Sequence, residues 1–372
     1  MTTPFADGYH FPAEWEPHEA TWLTYPHNDD SFPGKLESVY PSYLRFIAEI
    51  AKSEKVRINV PAAFKNQLIR KLDQTNVTVR RHCGLDPQSH KNKEIADQVR
   101  NDGSYYQVEI FERASNDVWC RDHGPAFVVK DAPKRQKAIV DWEFNAWGGK
   151  YPHDADNLIA GAIASDLGLP LYRPGIVMEG GAVEFNGQGT LLTTRACLLN
   201  PNRNPHLNQQ QIEQYLHDYY GVHQVLWLGD GIEGDDTDGH IDDITRFANA
   251  NTVITAVETN RNDVNYQPLQ ENLRELRRMR LLNGRQPDIV ELPMPTPVIH
   301  NGQRLPASYA NFYIANDAVI VPTFRCPQDD RAMQILAACF PNRRIVGIDS
   351  TDIVWGFGSF HCLSQQEPAN NL

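Results

Sequence analysis

Val56-Arg57-Ile58-Asn59-Val60, the stretch Ala62 to Asp73, and Asn76-Val77-Thr78-Val79-Arg80 follow one another closely in this chain. The first and third predict strands, and the segment between them predicts an amphipathic helix. Tyr106 to Ile110 and Pro125 to Val129 continue the β pattern. Asp154 to Leu167 carries apolar residues at helical spacing, with an aspartate suited to capping its start. Glu184 to Leu192 contains Asn186-Gly187 and predicts a hairpin. Further helices are expected at Asn208 to Tyr219, Pro268 to Leu281 and Asp329 to Cys339. Each precedes a strand-like run: Val222 to Leu228, Asp288 to Leu292 and Arg344 to Ile348. The class is α/β. The recurrence is architectural, because residue-level self-similarity is too weak to define a repeat.

No Pro- or Ser-rich linker interrupts the pattern, so a single domain over residues 1–372 is expected. Gly84 to Gly103 is polar and aperiodic, and reads as an exposed insertion. A composition of 41% hydrophobic and 22% charged residues is that of an ordinary globular protein. The formal charge of −12 argues against a nucleic-acid partner and is compatible with a small cation. The start, Met1-Thr2-Thr3-Pro4, has no signal-peptide character, and no run approaches the roughly 18 apolar residues of a membrane span. Cytoplasmic residence is the expectation. Six cysteines without paired spacing read as free thiols, and the lack of a CxxC pair argues against a structural zinc site.

Four short motifs carry chemistry. Gly356-Phe357-Gly358-Ser359-Phe360-His361-Cys362 places a thiol in a glycine-punctuated loop, where a substrate could approach the backbone. A buried core cysteine is the plainer alternative. Thr237-Asp238-Gly239-His240-Ile241-Asp242 flanks a histidine with carboxylates. With Ile241 in a strand, His240 and Asp242 would project on one face. The plainer alternative is a solvated acidic loop with Asp235, Asp236 and Asp243; the spacing fails the EF-hand template. Glu179 precedes Gly180-Gly181 and could meet a ligand at short range, or face solvent on a turn. In Trp119-Cys120-Arg121-Asp122, the charged neighbours could form a surface ion pair. Trp119 suits either a core position or a flat wall for a planar group.

Together these motifs resemble the agmatine deiminases of the guanidino-group-modifying, or pentein, superfamily. The resemblance runs from Pro12-Ala13-Glu14-Trp15-Glu16-Pro17-His18 through Asn116 to Phe127, Glu179-Gly180-Gly181 and Leu199-Asn200-Pro201-Asn202-Arg203-Asn204-Pro205. It ends with Gly234 to Phe247 and the Cys362 loop. It implies a five-bladed, pseudo-symmetric α/β propeller with the site on its axis. It also implies hydrolysis of agmatine to N-carbamoylputrescine and ammonia, without metal or organic cofactor, by a homo-oligomer. By residue match, Cys362 is the nucleophile and His240 the general acid/base. Asp122, Glu179 and Asp242 match acids around the guanidinium, and Trp119 an aromatic beside the substrate channel. Phe357 and Ser359 stand where many relatives carry glycine and asparagine. Deiminases acting on peptidyl-arginine or free arginine share the chemistry. A cysteine amidase, or a guanidine-binding protein with an inert pocket, are the readings from other classes.

Overall fold

Alternation in the strand Lys55–Val60 sends Val56, Ile58 and Val60 to one face, where they are fully buried with Val39, Tyr43, Phe46 and Ile47. The other face is buried too. Arg57 is 8% exposed and binds Glu109 at 2.8 Å and Glu367. One side of this sheet is therefore apolar and the other ionic, and the ionic side leads toward the site.

The structure is a computed structural model that describes residues 2–75, 78–81, 107–131 and 134–370. The expected insertion at 84–103 and Cys83 lie outside the described residues. Strands β1 (His18–Thr24), β2 (Lys55–Val60), β3 (Thr78–Arg81) and β4 (Gln107–Glu112) pair in the order β1-β2-β4-β3, all parallel. A helix, Leu36–Ile50, connects the first two. The sequence reading did not assign it, and its internal Pro41, ordinarily a helix breaker, obscures it.

The next sheets follow one rule. Strands β5 (Ala126–Lys130), β6 (Gln136–Val140) and β7 (Leu171–Tyr172) form an antiparallel pair and then a parallel one, with helix Ile159–Leu167 in the crossover. Strands β8 (Val183–Phe185), β9 (Thr190–Thr194) and β10 (Gln224–Leu228) repeat this around helix Gln209–Tyr220. So do β11 (Thr245–Asn249), β12 (Thr252–Val257) and β13 (Asp288–Pro293) around Tyr266–Leu276. A small hairpin of β14 (Ile299–His300) and β15 (Gln303–Arg304) precedes the next unit. There β16 (Tyr313–Ile314), β17 (Ala318–Thr323) and β18 (Arg344–Asp349) surround Gln328–Cys339. Finally β19 (Ser364–Pro368) pairs antiparallel with β1, giving the first sheet the same pattern. The parallel crossovers explain the helix-then-strand recurrence in the sequence.

Local chemistry accounts for several boundaries. Asn208 caps its helix in a reciprocal capping box with Gln211. Asn186 accepts from the backbone N–H of Gln188 and Thr190, and Gly187 takes the left-handed conformation that the hairpin needs. The segment expected as a helix from Ala62 opens as a 3-10 turn and is α-helical only over Lys65–Leu72. The helix expected from Asp154 starts at Ile159 after a 3-10 turn, and no side chain caps it. Asp154 is exposed, while the buried Asp156 accepts from the backbone N–H of Asn116 at 2.7 Å and Asp117 at 3.1 Å. That aspartate ties down the loop leading to Trp119. Among the described residues, no helix is long and apolar enough to cross a membrane.

Candidate active site

Each unit contributes a loop just before its first strand, and these loops converge. Asp122 precedes β5, Glu179 precedes β8, and His240 and Asp242 precede β11. Asn311 precedes β16, and Cys362 precedes β19. Dispersed motifs therefore meet because they occupy equivalent places in successive units.

Asp242 is the hub. Its Oδ2 lies 3.6 Å from Cys362 Sγ and accepts from His361 Nδ1 at 2.6 Å. Its Oδ1 is 4.0 Å from His240 Nδ1 and has no hydrogen-bond partner. His240 Nδ1 is also 3.8 Å from Asp122 Oδ1, and neither imidazole nitrogen has a hydrogen-bond partner. Asp122 accepts from Trp147 Nε1 and from the Gly181 backbone N–H, both at 2.9 Å. Glu179, fully buried, accepts from Arg203 Nε at 2.8 Å through one oxygen and leaves the other unpartnered.

Gly181 shows how tightly the site closes. A Cβ there would stand 2.6 Å from His240 Nδ1, 2.9 Å from Asp122 Oδ1 and 3.1 Å from Asp242 Oδ2. No side chain fits without moving all three groups.

These neighbours shape the acid–base behaviour. Burial, then the carboxylates of Asp242, Asp243 and Asp122, push the Cys362 thiol well above its ordinary range. Burial works against a charged His240, yet Asp122, followed by Cys197 and Asp242, raises its pKa well above the usual value. Burial raises Asp122, with His240 opposing. Asp243 is raised strongly by burial and by Asp242 and Asp235. Asp242 is lowered: burial opposes ionisation, but the bond and charge of His361 outweigh it. Both shifts favour the protonated forms, a thiol on Cys362 and a charged imidazole on His240. Ligand atoms of Glu179, Cys197 and His240 lie within 4.8 Å of one another.

A cavity of about 450 Å³ reaches Cys362 and is bordered by Trp119, Asp122, Trp147, Tyr151 and Phe357, and also by Asp117, Asp29 and Asp236. Trp119 is 4% exposed, so it belongs both to the core and to the cavity wall.

The structure brings Cys362, His240, Asp122, Glu179, Asp242 and Trp119 together, and it corrects several details. Residues Ile241–Asp243 form a 3-10 turn rather than a strand, because Asp235 and Thr237 accept the His240 backbone N–H and bend the chain. Arg121 and Asp122 form no ion pair: Arg121 is buried and donates to Gln366 at 2.7 Å. Glu179 does not face solvent. The glycines of the cysteine loop line the cavity and also make room for an aromatic ring. A Cβ on Gly356 or Gly358 would lie 2.6 or 2.5 Å from Trp119. Phe357 borders the cavity with φ of 69°, whereas Ser359 turns away and bonds Ser350 at 2.7 Å.

Sequence reasoning missed Asn311, Trp147 and the linking role of His361, and it treated Asp243 as part of a solvated loop. Asp243 is 2% exposed and accepts from Asn311 Nδ2 at 3.0 Å. Asn311 carries no local signal; only its position before a unit's first strand could have marked it.

Comparison with known proteins gives a consistent result. A family model for the Porphyromonas-type peptidyl-arginine deiminase matches residues 10–368. Agmatine deiminase of Pseudomonas aeruginosa is 34% identical, over 99% of this chain and 98% of the relative. That of Ectopseudomonas mendocina is 33% identical over the same shares. Among solved structures, agmatine deiminase of Enterococcus faecalis superposes with a TM-score of 0.87 at 32% identity, covering 100% of this chain and 98% of that one. A cysteine-to-serine variant of C. jejuni agmatine deiminase with substrate bound gives 0.81 at 31% identity, covering 97% of each chain. The chain belongs to the Porphyromonas-type peptidyl-arginine deiminase family.

Proposed function

We propose that this protein hydrolyses agmatine to N-carbamoylputrescine and ammonia, with Cys362 as nucleophile and His240 as general acid and base. The observation that carries the reading is the ring of buried carboxylates around a thiol and an imidazolium, with unpartnered oxygens on Glu179, Asp242 and Asp243. A planar cation with several N–H donors complements such a ring. Each charge-assisted bond contributes roughly 1.5–3 kcal/mol. Likeness to agmatine deiminases over the whole length of the chain supports the substrate.

Asp122, Glu179 and Asp242 orient the guanidinium so that its central carbon presents one face to the sulfur. The bound positive charge offsets the carboxylates that hold the Cys362 proton, and the thiol releases that proton to solvent. The thiolate attacks, forming an S–C bond. His240 gives its proton to the departing nitrogen, the C–N bond breaks, and ammonia leaves a thiouronium on Cys362. The imidazole, now neutral, takes a proton from water as its oxygen bonds to the same carbon. The S–C bond then breaks as the hydroxyl proton of the adduct passes to the departing sulfur, returning the thiol and the neutral urea product. Trp119 walls the channel. Asp117, Asp29 and Asp236 in the cavity lining suit the positive far end of agmatine better than a peptide backbone.

The five units with one shared strand rule support a five-bladed propeller with the loops of this site on its axis, within one catalytic domain. Purified protein incubated separately with agmatine, free arginine and an arginine peptide is expected to release ammonia fastest from agmatine. Ammonia from the peptide alone would remove the assignment.

A further inference from the structure

The amide of Asn311 is oriented by groups that leave it no choice. Its Oδ1 accepts the backbone N–H of His361 at 3.1 Å and of Cys362 at 3.3 Å. Backbone N–H groups only donate, so the oxygen must face them and the NH2 must face the other way. There Nδ2 lies 3.0 Å from Cys362 Sγ and 3.0 Å from Asp243 Oδ1. The Asp243 carboxyl takes one N–H, which leaves the other aimed at sulfur. Asn311 is 1% exposed, so water does not compete for these bonds.

We propose that Asn311 is a catalytic residue that touches the reacting atom, its Nδ2–H donating to the Cys362 sulfur and stabilising the thiolate. The proposal deepens the hydrolase reading and rests on Cys362 being its nucleophile. Apart from the Ser359 backbone N–H, which favours its charge, the sulfur faces anions: Asp242, Asp243 and Asp122 all disfavour that charge, while His240 sits beside Asp242 and His361 is engaged by it. A neutral amide can hold the thiolate without repelling a cationic substrate. An arginine or lysine in the same place could not. The same side chain fixes the loop through the two backbone bonds, so stabilisation and placement of the sulfur are coupled in one group.

The test compares wild type with Asn311→Ala and Asn311→Asp in the full chain. Asn311→Asp keeps an acceptor for both backbone N–H groups and replaces the donor with a carboxylate, so it carries the test if the alanine variant fails to fold. The rate of Cys362 alkylation by iodoacetamide is followed against pH without substrate, with the adduct site read by peptide mass spectrometry. The alkylation midpoint is expected to move up by about one pH unit in either variant, and kcat for agmatine to fall about 10- to 100-fold. Agmatine affinity, measured by calorimetry in a Cys362→Ser background, should change less than threefold, because the amide is not among the acids proposed to hold the guanidinium. Unchanged midpoint and kcat in the variants would overturn the proposal, as would a loss seen only in affinity. A wild-type protein releasing no ammonia from agmatine would instead sink the hydrolase reading, and the substrate-free alkylation profiles would still decide the sulfur–amide bond.

Discussion

Two buried, charged regions lie on either side of Asp242, and they are built oppositely. On the side away from the cavity, acids meet cations at close range. Arg246 bonds Glu14 at 2.6 Å and Glu184 at 2.9 Å, His361 reaches Glu14 at 2.8 Å, and Lys137 holds Glu367 at 2.5 Å. Around Cys362, Asp122 and Asp243 receive neutral donors from Trp147, Gly181 and Asn311, and Glu179 meets Arg203 through one oxygen while the other has no partner. Burying carboxylates without partners is costly, and the first region avoids that cost internally. The second leaves it to be offset by a bound cation. The contrast separates a scaffold from a receptor.

Breaking the paired region should have the largest effect. Arg246→Met leaves Glu14 and Glu184 buried without their guanidinium, and is expected to cost about 3–5 kcal/mol in urea unfolding. A loss below 1 kcal/mol would show that the network is not what holds the loops. Next comes crowding of the receptor. Gly181→Ala should lower kcat about 100-fold, since displacements near 1 Å carry that penalty, and cost about 1–3 kcal/mol in urea unfolding through overpacking.

Neutralising a receptor acid should affect binding more than folding. Glu179→Gln keeps an acceptor for Arg203 and puts an amide where the other oxygen has no partner. Its KM for agmatine should rise at least about tenfold, with a smaller fall in thermal midpoint than Arg246→Met, because Arg203 keeps Asp238 and the Thr237 carbonyl as partners. A midpoint that drops as far as in Arg246→Met would erase the distinction between the regions.

The smallest effect concerns pH. Burial raises Asp117, beside the cavity, to about 6. The folded form keeps that proton longer than the unfolded chain, so this contribution is full below the ordinary carboxylate range near 4 and fades as pH rises through about 6. Between pH 5 and 7 the loss is about 1 kcal/mol, and Asp117→Asn should flatten that part of the stability profile.

The sequence made the units legible wherever a crossover helix and its following strand were both strongly patterned, as at Asn208 to Leu228. The convergence of Cys362, His240 and the acids was legible because they sit among glycines that punctuate a turn. Three things were not legible. The helix at Leu36–Ile50 survives an internal proline because its buried face, from Val39 to Ile50, packs on the first sheet. The bend at Ile241 depends on side-chain acceptors from Asp235 and Thr237, which no strand or helix period registers. The role of Asn311 exists only once its loop meets that of Cys362, 51 residues further along.

The pairing of β19 with β1 bears on how the protein matures. The sulfur-bearing loop runs straight into a strand whose partner is the first one in the structure, and Trp22 reaches Glu367 across 345 positions at 2.9 Å. Such a remote closure is slow to form and cannot be rehearsed by local segments. Reactivity should therefore switch on late during folding, so that partly folded chains carry an acid-rich but chemically silent centre.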